Sequence, residues 1–353
     1  MTFRTTILGA AAIALVMAGC ASNGPAPAGM GFQSAGVAPG PAPWSGTPKP
    51  AADVLRFAIV GDNTGLAKPG VFDQAMTQIS WLHPDFVIAI GDLIEGYTDD
   101  KQQLNREWDR IDASVARAGA PFFFVPGNHD MGGDASLEVW KQRKGAPYYA
   151  FTYRGALFLC LDSEDPPMAM PAAMASQFHA IVDLMQKDPV GTQEKMHAQL
   201  VQANARRAAV ATGDKAENAF ESGPLNASRF SDAQVEFVRK TLEQHRDARW
   251  TFVLMHKPGW RVDSGNFVKI EQALADRPYT MIAGHYHYYS HEIRNGRDYI
   301  TMATTGAVAH QDGPGHTDHL AWVTLDRGAP DFASIKLNGL LDRTGQSGQT
   351  LAQ

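Results

Sequence analysis

The chain has 353 residues, 44% of them hydrophobic and 33 of them glycine, enough to bury a sizeable core in one large domain or two small ones. Its formal charge is -6, with acidic and basic residues interleaved and no polybasic run, so a nucleic-acid partner is not expected. With only Cys20 and Cys160 in the chain, lipidation of the first would leave no disulfide framework.

Arg4 precedes the apolar run "TTILGAAAIALVMAGC", the charged-then-apolar pattern of a secretory signal over residues 1–20. The run is short for a membrane span and ends in small residues, so "VMAGC" resembles a bacterial lipobox whose Cys20 is lipidated after cleavage. The expected location is the bacterial cell envelope, lipid-anchored and facing the periplasm; ordinary cleavage to a secreted soluble product is the alternative. Residues 21–52, rich in Ala, Gly and Pro, read as a disordered tether.

From residue 55 the pattern turns to strands alternating with helices: "RFAIVGD", "GVFDQAMTQISWL", "DFVIAIGD", "QQLNREWDRIDASVARA" and "PFFFVPGNHD". Near-continuous apolar strands in that alternation predict a sheet covered on both faces. Cys160, within "ALFLCLD", is expected to be a buried thiol. Residues 165–228, rich in Ala, Met and Gln, are too long for a plain loop and predict a helical insertion, read as a helical pair packed on the core in preference to a lid. Beyond it, Ser231 and Gln234 have capping-box spacing ahead of an amphipathic helix. "RWTFVLMH" and "YTMIAGHYH" then read as strands, Asn295-Gly296 marks a hairpin, and "HLAWVTLDRGAPDFASIKLNG" reads as a closing strand pair.

Five apolar runs end in Asp, Asn or His: Asp62 in "IVGDNTG", Asp92 in "AIGDLIEG", Asn128-His129-Asp130 in "VPGNHD", His256 in "VLMH", and His285 and His287 in "AGHYH". Ligands of open α/β sheets bind at the carboxyl ends of strands, so these sites can converge. The mixed oxygen and nitrogen donors suit Fe, Mn or Zn better than an all-oxygen Ca site. A carboxylate shared between two such cations about 3.5 to 4 Å apart supports hydroxide generation and a clamp on a phosphoryl oxygen. No G-x-S-x-G, H-E-x-x-H or P-loop lysine motif is present. Thr64 occupies the place of the second Asp of a covalent-aspartate phosphatase.

On these motifs, "GD" twice, "GNHD", "VLMH" and "GHYH" in that order over roughly residues 55–325, the chain resembles the calcineurin-like metallophosphoesterase family. The resemblance implies a four-layer α/β/β/α sandwich of two mixed sheets flanked by helices, here over residues 53–342, with the insertion at 165–228 and a flexible tail at 343–353. It implies two divalent or trivalent metal ions (Fe, Mn or Zn). Asp62 and His287 would hold the first, Asn128, His256 and His285 the second, and Asp92 both. It further implies His129 as the acid for the leaving oxygen or as a clamp on the phosphate, with Asp130 orienting its ring. The expected reaction is hydrolysis of a phosphate ester by a hydroxide bound to the metal pair. The alternative is a degenerate binding or interaction lipoprotein of the same fold with little turnover.

Thr64 stands where many relatives have a histidine ligand, and either Thr64 or Glu95, three residues after Asp92, is expected to complete the first site. Spacing alone assigns no role to His310, His316 and His319.

Overall fold

The computed structural model describes residues 53–210, 226–262 and 265–348. The expected signal and tether, part of the insertion at 211–225 and the end of the tail at 349–353 lie outside the described residues.

Three strands, β1 (Leu55–Val60), β2 (Phe86–Ala89) and β3 (Phe122–Phe124), run parallel because α1 (Val71–Leu82) and α2 (Lys101–Val115) carry the chain back between them. Two late strands, β10 (His319–Leu325) and β11 (Asp331–Lys336), add antiparallel on the other side of β1, giving the order β11-β10-β1-β2-β3.

The second sheet is built from β4 (Tyr149–Tyr153), β5 (Ala156–Cys160), β6 (Trp250–Leu254), β7 (Tyr279–Ala283), β8 (Ser290–Arg294) and β9 (Arg297–Thr301), in the order β4-β5-β6-β7-β9-β8. Its helices are α6 (Asp232–Gln244) and α7 (Asn266–Ala273). A further helix, α3 (Asp134–Arg143), joins α1 and α2 against the first sheet, and the insertion supplies α4 (Ala172–Lys187) and α5 (Pro189–Val210). No helix among the described residues is long and apolar enough to cross a membrane.

The period-two alternation of side chains explains why the central strands are apolar on both faces. Leu55, Phe57 and Ile59 of β1 meet Phe158, Cys160, Phe252 and Leu254 of β5 and β6 between the two sheets. Ala58 and Val60 face α1 and α2. Leu157, Leu159 and Val253 face α6 and α7. The result is the expected α/β/β/α sandwich. Phe57 meets the Phe158 and Phe252 rings edge-on, with centroids 5.3 and 5.0 Å away. Cys160 is fully buried in this inter-sheet core, and burial pushes its thiol up to about 12.

Local chemistry sets the element ends. Asp100 caps α2 by accepting from the backbone N–H groups of Gln102 and Gln103 at 2.8 and 3.2 Å. Ser231 caps α6 by accepting from Gln234 N at 3.2 Å, but the expected capping box is only half formed. The Gln234 amide turns away to bond both backbone groups of Asp162, just beyond β5, at 2.8 and 2.9 Å. Asn295 and Gly296 have φ of 53° and 67°, the two-residue hairpin turn expected between β8 and β9. Arg154 and Gly155 make the equivalent turn between β4 and β5, which sequence reasoning passed over because arginine is an unusual residue at positive φ.

The insertion packs as a helical pair. Phe178, Val182 and Met185 of α4 and Leu200 of α5 close over Leu66, after β1, and Val308, after β9. The described start of the expected flexible tail is tied to the domain: the Gln78 amide on α1 donates to Ser347 O at 2.7 Å.

Candidate metal centre

Every residue singled out from the sequence for metal binding lies just beyond the carboxyl end of a strand: Asp62 after β1, Asp92 after β2, Asn128 after β3, His256 after β6, His285 and His287 after β7. The turns that place them are tight. Asp92, His285 and His287 have φ of 53°, 75° and 51°, uncommon for residues with a side chain and costly unless their surroundings hold them.

Asp92 is the hub. Its Oδ1 accepts from His129 N at 2.9 Å, and its Oδ2 lies 3.0 Å from His256 Nε2 and 4.0 Å from His129 Nε2. Asp62 Oδ1 accepts from His285 N at 3.0 Å and lies 3.5 Å from His287 Nε2. Two buried clusters result, Asp62-Asp92-His287 and Asp92-His256-His285, each with donor atoms within 4.8 Å of one another, and they share Asp92. Asn128 joins the second: its amide nitrogen donates to Tyr97 Oη at 2.6 Å, which turns Oδ1 to within 3.1 Å of His256 Nε2.

The arrangement suits cations. His256 and His287 each have Nδ1 against a backbone carbonyl, Ile90 O at 2.9 Å and Val308 O at 2.6 Å, so donation there directs the bare Nε2 toward carboxylate oxygen. A neutral imidazole cannot donate on both sides, and something positive is wanted between Nε2 and the carboxylates. The carboxylates draw positive charge, a cation or a proton, to the same place. Burial alone would lower the pKa of His256, yet Asp92 and Asp62 push it up to about 9. Burial would raise Asp92, yet the imidazoles of His256, His129 and His285 hold it well below the carboxylate range. Among the described residues, Thr64 Oγ1 is also buried with no hydrogen-bond partner.

One expectation changes. Asp130 does not orient the His129 ring. Its buried carboxylate accepts from four backbone N–H groups, of Asp92, Leu93, Ile94 and Gly127, at 2.8, 3.0, 3.2 and 2.9 Å. The positive-φ turn at Asp92 aims these N–H groups inward, where no carbonyl can meet them. The His129 ring is set instead by Glu95 O, 2.8 Å from Nδ1. The Glu95 carboxylate has backbone partners of its own: it accepts from Ala67 N at 2.8 Å and Leu66 N at 3.3 Å, tying the loop after β1 to the loop after β2.

Sequence reasoning missed Tyr97, five residues after Asp92, whose ring lies 4.5 Å from that of His129 and whose phenol is kept neutral by burial and by the nearby Asp92. It also missed Phe178 of the insertion, 5.2 Å from the His129 ring. The three late histidines part company. His310 stacks on His287 at 4.0 Å, and the His319 ring bonds Ala303 N at 3.0 Å and Ser334 Oγ at 2.5 Å inside the fold. His316 lies beside His197, their ring centroids 4.8 Å apart.

Gly127 has to be glycine, because a Cβ there would fall on Asp92 Oδ1 and the Asp92 backbone nitrogen. Gly127→Ala is expected to lower turnover by roughly 10²-fold through displacement of Asp92, read from steady-state kinetics with bound metal counted in parallel.

A family model described as calcineurin-like phosphoesterase matches residues 55–289. The chain is 32% identical over 99 residues to the serine/threonine-protein phosphatase CPPED1 of Rattus norvegicus, a match covering 26% of this chain and 31% of that protein. Among solved structures, a dimetal phosphatase from Danio rerio superposes with a TM-score of 0.51 at 14% identity, over 80% of this chain and 98% of that one. The purple acid phosphatase PPD1 from yellow lupin (Lupinus luteus) seeds gives 0.52 at 15% identity, over 83% and 53%. At those identities the two structures speak for the fold.

Proposed function

The chain belongs to the calcineurin-like phosphoesterase family, and from that premise we propose that it hydrolyses phosphate esters at a pair of cations sharing Asp92. The observation that carries the reading is the pair of buried clusters with this one carboxylate in common. Asp62 and His287 would hold the first cation and Asn128, His256 and His285 the second; the mixed donors suit Fe, Mn or Zn. Once bound, such a pair supplies an activated water and positive charge against the phosphoryl oxygens.

The chain's own part is positioning and proton handling. Ile90 O and Val308 O fix the rings of His256 and His287, and Tyr97 fixes the Asn128 amide. His129, with Nδ1 committed to Glu95 O, presents Nε2 toward the Asp92 side of the centre. When protonated on both nitrogens, it can give the Nε2 proton there to the leaving oxygen or donate it to a phosphoryl oxygen. Phe178 and Tyr97 beside its ring limit water and shape the leaving-group side. A lipidated Cys20 would hold this domain at an envelope membrane.

Hydrolysis of p-nitrophenyl phosphate and its bis ester, with Mn, Fe or Zn supplied, tests the reading. Absence of metal-dependent turnover in protein that binds two cations favours the non-catalytic alternative. His129→Asn separates the two roles of that residue. As the acid, its loss slows an alkyl phosphate by about 10² to 10⁴-fold and p-nitrophenyl phosphate far less, because nitrophenolate leaves without a proton. As a clamp, it slows both equally.

A further inference from the structure

We infer that His197, Asp312 and His316 form a third cation site, of the zinc type, that fastens the inserted helix α5 to the loop holding His287. One donor atom from each residue lies within 4.8 Å of the others. None of the three belongs to the paired centre.

His197 carries the argument. Its Nδ1 lies 2.8 Å from Ala309 O and its Nε2 lies 2.8 Å from Asp312 Oδ1. Both partners are acceptors, and a neutral imidazole has a single N–H. Donation from Nδ1 to the carbonyl leaves the Nε2 lone pair facing a carboxylate, the outer-contact pattern of a metal-binding histidine. His316 Nδ1 lies 3.7 Å from the same Asp312 oxygen and supplies a third donor. Two imidazoles and one carboxylate, open to solvent on the Asp312 side, provide three ligands of a four-coordinate zinc and leave the fourth to water. The nitrogen-rich set disfavours Ca and Mg.

The location gives the site a purpose. Ala309, gripped by His197, follows Val308, whose carbonyl accepts from His287 Nδ1 at 2.6 Å. His310, next in the chain, stacks on the His287 ring at 4.0 Å. A cation between α5 and Asp312 would hold the insertion and this loop together, and so hold the orientation of a ligand of the paired centre.

Zinc titration of the full chain against a competing chromophoric chelator tests the site. Asp312 is 68% exposed, so Asp312→Asn leaves the fold alone, and His197→Ala serves as the second variant. The Asp92→Asn protein is expected to bind one more equivalent of zinc than either Asp92→Asn/Asp312→Asn or Asp92→Asn/His197→Ala, or to bind that equivalent at least tenfold more tightly. Equal stoichiometry and affinity in all three proteins overturns the site and leaves a plain imidazolium–carboxylate pair. Failure of the paired-centre reading registers separately, as zinc binding undiminished by Asp92→Asn alone.

Discussion

Asp92→Asn leaves the protein folded and lowers phosphate-ester turnover by roughly 10³-fold, the equivalent of about 4 kcal/mol of lost stabilisation. The substitution keeps the size of a fully buried side chain, and asparagine Oδ1 can still accept from His129 N, so the turn after β2 survives. What is lost is the charge that belongs to both clusters at once. The amide group cannot bridge two cations, and its NH₂ would point at His256 Nε2, which lies 3.0 Å from Asp92 Oδ2. Bound metal should fall with activity, while near-ultraviolet circular dichroism stays that of the parent. Full activity with two bound metals would remove Asp92 from the centre and the proposed mechanism with it.

Asp130→Asn has the largest expected effect on stability. Four backbone N–H groups converge on the Asp130 carboxylate, two on each oxygen. An asparagine satisfies one pair and turns its own NH₂ against the other. Two buried donors are then left without partners, at about 3 kcal/mol in total. In a protein of this size that lowers the melting temperature by about 5 °C, and apo protein in chelator is the material to melt, since bound cations would mask part of the loss. The result also decides between two roles. If Asp130 acted by orienting His129, the variant would melt normally and lose turnover on poor leaving groups alone. The geometry, with the His129 ring on Glu95 O, predicts the reverse.

The layered fold was legible because the signals are local. Strands such as "FAIV" and "ALFLC" are apolar at every position, which only a sheet covered on both sides tolerates, and each ends at a Gly, Asp, Asn or His that cannot continue into the core. The hairpin at Asn295-Gly296 followed from residues that accept positive φ; its twin at Arg154-Gly155 did not, because tertiary pairing of β4 with β5 forces arginine there. The polar residues at the strand ends could be named for the same reason, since chain order brings them to one edge; the choice of six as metal ligands is what the family resemblance implies.

The partners of those residues were another matter. Asp130 sits next to His129 in the sequence, and the family resemblance implies that it steers the ring. The turn at Asp92 instead exposes a set of unpaired N–H groups, and the nearest buried carboxylate answers them. The resemblance offers Glu95 or Thr64 to complete the first site, but backbone donors at Leu66 and Ala67 engage the Glu95 carboxylate. His197 and Asp312 stand 115 positions apart, on an inserted helix and a glycine-rich loop, and no periodicity links them. Apolar pattern determines which strand ends meet. Which polar atom each side chain then bonds depends on the donors and acceptors that the folded backbone leaves unpaired nearby, and these exist only once the chain has closed on itself.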